Sequence, residues 1–178
     1  GPGAGAFVER VLEVRERNRL IAEAECREIR AVESLRETLH GLDVAAPAAP
    51  ALERAIEEFF VPEVELIRSV AGAGETLEAL RSRGMRLALL SNATSGPYVA
   101  GVIDRMGWRG YFDPLVVSAD IGVRKPRAEA FQAVLDRWTL DPGEIAMVGD
   151  SLYHDVKGAQ ALGLVTIHFT AIANQFDR

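Results

Sequence analysis

Val148-Gly149-Asp150-Ser151-Leu152-Tyr153-His154-Asp155-Val156-Lys157-Gly158-Ala159 is the stretch that decides how this 178-residue chain folds. Ile145 to Val148 is an apolar run of strand length, and Asp150 is the first polar side chain after it. A strand without polar alternation is buried on both faces, as in a parallel sheet covered by helices. Ser151 to Leu162 then reads as a helix. Asp150 and Asp155 converge on one strand end, an oxygen-rich corner suited to a hard cation such as Mg²⁺. The plainer alternative makes Asp150 a helix cap and Asp155 a partner of the helix dipole. Gly149 permits close backbone approach, and Gly158 with Ala159 lets the helix pack tightly on the sheet.

The same alternation extends outward in both directions. Val165 to Phe169 reads as a last strand and Ala128 to Trp138 as a helix. Leu115 to Val117 reads as a short strand, Tyr98 to Met106 as a helix and Met85 to Leu90 as a strand. Glu75 to Arg83 reads as a helix closed by Gly84. Before residue 70 the pattern is helical throughout. Residues 5 to about 40 carry apolar side chains at spacings of three and four, which predicts two helices broken near Asn18. Leu42 to Pro50 is an Ala/Pro loop, and Leu52, Ile56, Phe59 and Phe60 mark a further helix ended by Pro62. The expected architecture is α/β: a Rossmann-like parallel sheet over residues 69–178 with a small all-helical unit over residues 5–68.

In such sheets ligands bind at the C-terminal strand ends. The run ending Leu90-Ser91-Asn92-Ala93-Thr94 sets a hydroxyl and an amide between a strand and a helix. Helix-start N–H groups favour an anion, and Ser91 adds a donor; plain capping is the alternative. Gly122-Val123-Arg124-Lys125-Pro126 aims Lys125 from an extended turn before proline. Its ammonium suits a phosphate, and otherwise it is a solvated lysine. Replacing it is expected to leave the fold intact.

These segments, in this order, resemble the haloacid dehalogenase-like superfamily. Leu87-Ala88-Leu89-Leu90-Ser91-Asn92 resembles its second motif, Arg124-Lys125-Pro126 its third, and Gly149-Asp150 through Asp155 its fourth. The resemblance runs from about residue 72 to residue 169, and the preceding helices resemble the family's cap. It implies that Ser91 and Asn92 bind phosphate and that Lys125 neutralises it and orients a nucleophile. It also implies that Asp150 binds Mg²⁺ while Asp155 binds or braces that metal. The family's first motif, an apolar strand ending Asp-x-Asp-x-Thr, supplies the nucleophile and the acid/base. No Asp-x-Asp occurs in this chain. The usual first, central strand is therefore expected to be missing from an incomplete chain that opens Gly1-Pro2-Gly3; a protein that lost its nucleophile is the alternative.

The implied activity is a magnesium-dependent phosphatase acting on a small phosphomonoester, with these 178 residues alone inactive. Two alternatives stay open: a haloacid dehalogenase, and a non-catalytic binding or regulatory protein. The formal net charge of −6 and the lack of a basic block exclude duplex DNA as a first-choice partner. No apolar run approaches the ~18 residues of a membrane span, and the lone Cys26 fits a reducing cytoplasm. Oligomeric state stays open. His154 reads as a surface residue near substrate, His40 and His168 as capping and strand residues, and Trp108 and Trp138 as packing. The stretch from Glu9 to Arg36 reads as a solvated face with i,i+4 ion pairs.

Overall fold

Asn18 stands in the middle of α1 (Ala4–Glu25), a continuous 22-residue helix, where the sequence pattern predicts a break. The residue is buried, and its side-chain amide donates to Ser34 Oγ at 3.0 Å and Glu37 Oε2 at 3.2 Å on α2 (Ala31–Gly41). A buried amide with its donors satisfied does not interrupt a helix. The chain turns instead at Cys26, which adopts the left-handed conformation with φ 49°.

α3 (Ala49–Leu66) begins with Pro50 in its first turn and continues through Pro62, which does not end it. Two contacts to α5 (Gly96–Arg105) hold the last turn. Tyr98 Oη donates to Glu63 Oε1 at 2.8 Å, and Val64 fills the space beside Gly101, where a Cβ would lie 3.6 Å from Val64 Cγ2. Leu52, Ile56 and Phe60 of α3 form a core with Val32 of α2, against which Tyr98 packs. At roughly 1.5–3 kcal/mol per buried large side chain, this face outweighs the ~3 kcal/mol cost of an interior proline.

α4 (Ala73–Ser82) closes just before Gly84, φ 78°. β1 (Leu89–Ser91) is shorter than the expected Met85–Leu90 run, because Met85 is exposed and no strand pairs with it among the described residues. β2 (Leu115–Val117) pairs with β1 in parallel, Leu89 opposite Leu115 and Ser91 opposite Val117. α6 (Ser118–Ile121), a single turn, follows β2 directly. Val99 and Ile103 of α5 bury against Val117 and Ala119, with Trp108 packed on the cluster.

α7 (Ala128–Leu135) ends before Trp138. β3 (Ala146–Gly149) pairs in parallel with β4 (Val165–His168), Val148 opposite Ile167. Between them Leu152–Lys157 winds as wide π-type turns and α8 (Gly158–Gln160) as one α turn. Val156 N–H accordingly reaches back five residues to Ser151 O at 3.1 Å. Ala146, Val148, Val165 and Ile167 share one face of this pair, which is exposed and not covered as the apolar pattern predicts.

This computed structural model describes residues 3–170 and divides into two compact units, Gly1–Gly122 and Val123–Arg178. The architecture is α/β with Rossmann-like parallel strand pairs, as the sequence predicts. No helix among the described residues is long and apolar enough to cross a membrane.

Candidate functional site

The residues expected at the strand ends fall into two groups, one in each unit. In the second unit, Lys125 is not a solvated lysine: it is 7% exposed. Its Nζ lies 2.8 Å from Asp155 Oδ1. That contact is an ion pair by distance, although its geometry is not that of a directed hydrogen bond. Asp155, 4% exposed, also accepts Ser151 N–H on Oδ2 at 3.0 Å. The carboxylate that the sequence places in a metal corner is thus engaged with the Lys125 ammonium and the first turn of its own helical segment. The stability expectation for Lys125 changes with it, because removing either charge takes from the other its ion-pair partner in a buried setting.

Two glycines make this arrangement possible. A Cβ on Gly149 would stand 2.2 Å from Asp155 Oδ2, so the carboxylate occupies the space a side chain would take. A Cβ on Gly158 would meet the Phe131 ring at 2.8 Å and the Pro126 Cα at 3.0 Å. The loop carrying Lys125 therefore packs directly on the helical segment carrying Asp155. The Lys125–Pro126 peptide is cis.

Asp150 is exposed at the end of β3. Its backbone carbonyl lies 3.0 Å from His168 Nε2 at the end of β4, which ties the two strand ends together. His154 is partly buried, with Nδ1 3.0 Å from Ser151 Oγ, and Ser151 Oγ accepts His154 N–H at 3.0 Å. The donor chemistry of Asp150 and Asp155 suits Mg²⁺. With Asp155 committed to Lys125, Asp150 is the carboxylate left to hold it. Among the described residues no cluster of three or more His, Cys, Asp or Glu side chains is gathered for a metal. The residues present fit part of an octahedral oxygen set, the rest being water or groups outside this cluster.

In the first unit, Ser91 ends β1 and Asn92 follows it, both half-buried. The next amide is already in use: Ala93 N–H donates to Ser118 Oγ at 2.9 Å. Ala119 N–H donates to Ala93 O at 3.2 Å and Ala31 N–H to Thr94 O at 2.8 Å. The helix proper begins only at Gly96, capped by Ser95 Oγ, which accepts Tyr98 N–H at 3.3 Å. No helix starts at Ala93, so the expected helix-start amides are not offered directly after Ser91 and Asn92. Sequence reasoning missed Ser118 and its partner Glu28, which is 3% exposed. Glu28 lies within a Glu/Arg-rich stretch whose other charges mostly pair locally, as Arg19 does with Glu16 and Glu23. No local pattern distinguishes the buried one. A groove of about 360 Å³ on the helices is lined by Arg17, Asn18, Ile21, Arg27, Glu33 and Glu37 among others.

The family model for haloacid dehalogenase-like hydrolases matches residues 5–163. Haloacid dehalogenase-like hydrolase domain-containing protein 3 from Mus musculus is 32% identical over 71% of this chain and 49% of its own length. Ribulose-1,5-bisphosphate 5-phosphatase from Halopiger xanaduensis is 36% identical over 60% of this chain and 44% of its own. Among solved structures, a 2-haloacid dehalogenase from Pseudomonas syringae pv. Tomato DC3000 superimposes with a TM-score of 0.67 at 25% identity, over 96% of this chain and 70% of that one. The chain spans about half the length of the curated relatives it matches. With a family model covering residues 5–163, the chain belongs to the haloacid dehalogenase-like hydrolases.

Proposed function

We propose that the intact protein is a magnesium-dependent phosphatase acting on a small phosphomonoester. The observation that carries this reading is the buried Lys125–Asp155 pair, whose Asp155 also accepts the N–H of Ser151, the residue after the exposed Asp150. A buried ammonium set against a carboxylate has the charge to recognise an anion, and Asp150 offers an oxygen ligand for the cation that accompanies a phosphate. The Halopiger relative, a phosphatase by name, supports the substrate class. Residues 5–68 serve as the cap and residues 69–178 as the catalytic core in this reading. A cytoplasmic location and independence from nucleic acid belong to it as well.

In the first unit Ser91 would donate to a phosphoryl oxygen and Asn92 would add an amide donor; in the second unit Lys125 would supply positive charge to an anion. Asp155 holds the Lys125 ammonium by an ion pair at 2.8 Å. Asp150 would hold Mg²⁺, with Asp155 bracing that end of the chain through Ser151 N–H; the metal, when bound, would supply positive charge to a phosphoryl group. The attacking carboxylate is not among these 178 residues, which contain no Asp-x-Asp.

The dehalogenase reading is favoured by one observation, the superposition over 96% of the chain. Assaying the intact protein on small phosphomonoesters and on 2-haloacids, each with and without Mg²⁺, separates the two. Metal-dependent phosphate release lost on Asp150→Ala is the expected result. Halide release that ignores Mg²⁺ and Asp150→Ala would establish the dehalogenase, and neither activity would establish a binding protein.

A further inference from the structure

Glu28 lies in the linker between α1 and α2, far along the chain from every strand, yet it is among the most buried charged side chains described. Its Oε2 accepts the hydroxyl proton of Ser118, in a short contact, and its Oε1 accepts Ile29 N–H at 3.2 Å. Its own N–H donates to Gly122 O at 3.1 Å. With the Ser118 hydrogen directed at Glu28, the Ser118 oxygen is free to accept Ala93 N–H at 2.9 Å. Ala93 is the second residue after Ser91. A second tie runs parallel to the first, from Ala31 N–H at the start of α2 to Thr94 O. The helical linker thus grips both ends of the Ala93-Thr94 turn. All of these groups belong to the first unit.

We propose that Glu28 is a positioning residue for the anion site: through Ser118 it fixes the backbone of the Ser91–Thr94 turn, so that the helical segment sets the aim of Ser91 and Asn92. The inference rests on the phosphate-site reading above. Its physical basis is the chain carboxylate, hydroxyl, amide. The carboxylate fixes the rotor of Ser118, and a fixed rotor presents one lone pair to Ala93. Without Glu28 the hydroxyl loses the acceptor that fixes its rotor and keeps the longer contact to Ala93 O, 3.2 Å away, so the lone pair offered to Ala93 N–H is no longer held in one direction. A turn loosened there by about 1 Å misplaces the two phosphate donors, an error to which binding geometry is sensitive.

The test uses orthovanadate binding to the intact protein and the hydrogen-exchange rate of the Ala93 amide. Glu28→Ala and Ser118→Ala are each expected to weaken vanadate roughly tenfold and to speed Ala93 exchange, and the double variant to be no weaker than either single one, as for members of one chain of contacts. Glu28→Gln, which keeps an oxygen acceptor for the Ser118 hydroxyl, is expected to recover most of the affinity and keeps the test valid if Glu28→Ala fails to fold. Lower thermal stability with unchanged vanadate affinity in Glu28→Ala and Ser118→Ala would make Glu28 a structural strut only and overturn the inference. Ser91→Ala is the separate control. If it leaves vanadate binding intact, or if the parent protein binds none, the phosphate-site reading fails first and the inference falls with it.

Discussion

Asp155→Ala is the perturbation whose magnitude the structure sets most firmly. The Lys125 and Asp155 side chains are 9% and 6% exposed and their charged atoms are 2.8 Å apart. Removing the carboxylate leaves the Lys125 ammonium buried without its counter-charge and takes the acceptor from Ser151 N–H. Breaking a buried pair in this way costs about 3–5 kcal/mol, against about 0–1 kcal/mol for a solvated pair. Asp155→Asn restores an acceptor for Ser151 but not the charge, so it should still cost more than ~1 kcal/mol. Lys125→Met combined with Asp155→Asn should be less destabilised than the sum of the single variants, because no unpaired charge remains; the expected coupling is roughly 1–3 kcal/mol. The assay is urea unfolding followed by fluorescence, in which Trp138 reports on the unit that holds the pair. An Asp155→Ala variant within about 0.5 kcal/mol of the parent would refute the assignment of this contact as a buried ion pair.

Gly149→Ala should cost about 1–3 kcal/mol and disturb the same pair, because its methyl group would sit 2.2 Å from Asp155 Oδ2; equal unfolding midpoints would contradict the packing described. Burial, then the hydrogen bond and charge of Glu63, push the Tyr98 phenol up from 10.0 to about 12. A raised pKa holds the proton more tightly in the fold, so this contribution to stability is complete below pH 10 and is lost as pH rises through about 12. Stability measured across that window should therefore fall less steeply in Tyr98→Phe than in the parent. Mg²⁺ should bind the 178-residue chain only in the millimolar range, about 4 kcal/mol, and calorimetry finding a micromolar site that survives Asp150→Asn would contradict the placement of the metal.

The strand pairs were legible because parallel strands leave continuous apolar runs that stop at the first polar side chain, although the β3–β4 pair leaves one apolar face exposed. Leu115–Val117 and Ala146–Gly149 stand where these runs predict. Long-range satisfaction was not legible. Asn18 reads as a helix break until Ser34 and Glu37 supply its partners 16 and 19 residues away. Pro62 reads as a terminus until Glu63 and Val64 are seen held by α5. Glu28 is indistinguishable from its solvated neighbours because its partner Ser118 lies 90 residues away. The pairing of Lys125 with Asp155 was hidden for the same reason: each reads locally as a ligand-facing charge, and only the fold brings them to 2.8 Å.

In the proposed function none of Ser91, Asn92, Lys125, Asp150 and Asp155 attacks the phosphoryl group. Aryl phosphate hydrolysis by the purified 178-residue chain in millimolar Mg²⁺ tests that claim most directly. The expected result is no turnover above the uncatalysed background, since loss of a covalent nucleophile leaves only the residual effect of binding and electrostatics. Turnover by the chain alone that disappears on Asp150→Ala would place the attacking group among the residues described and contradict the account.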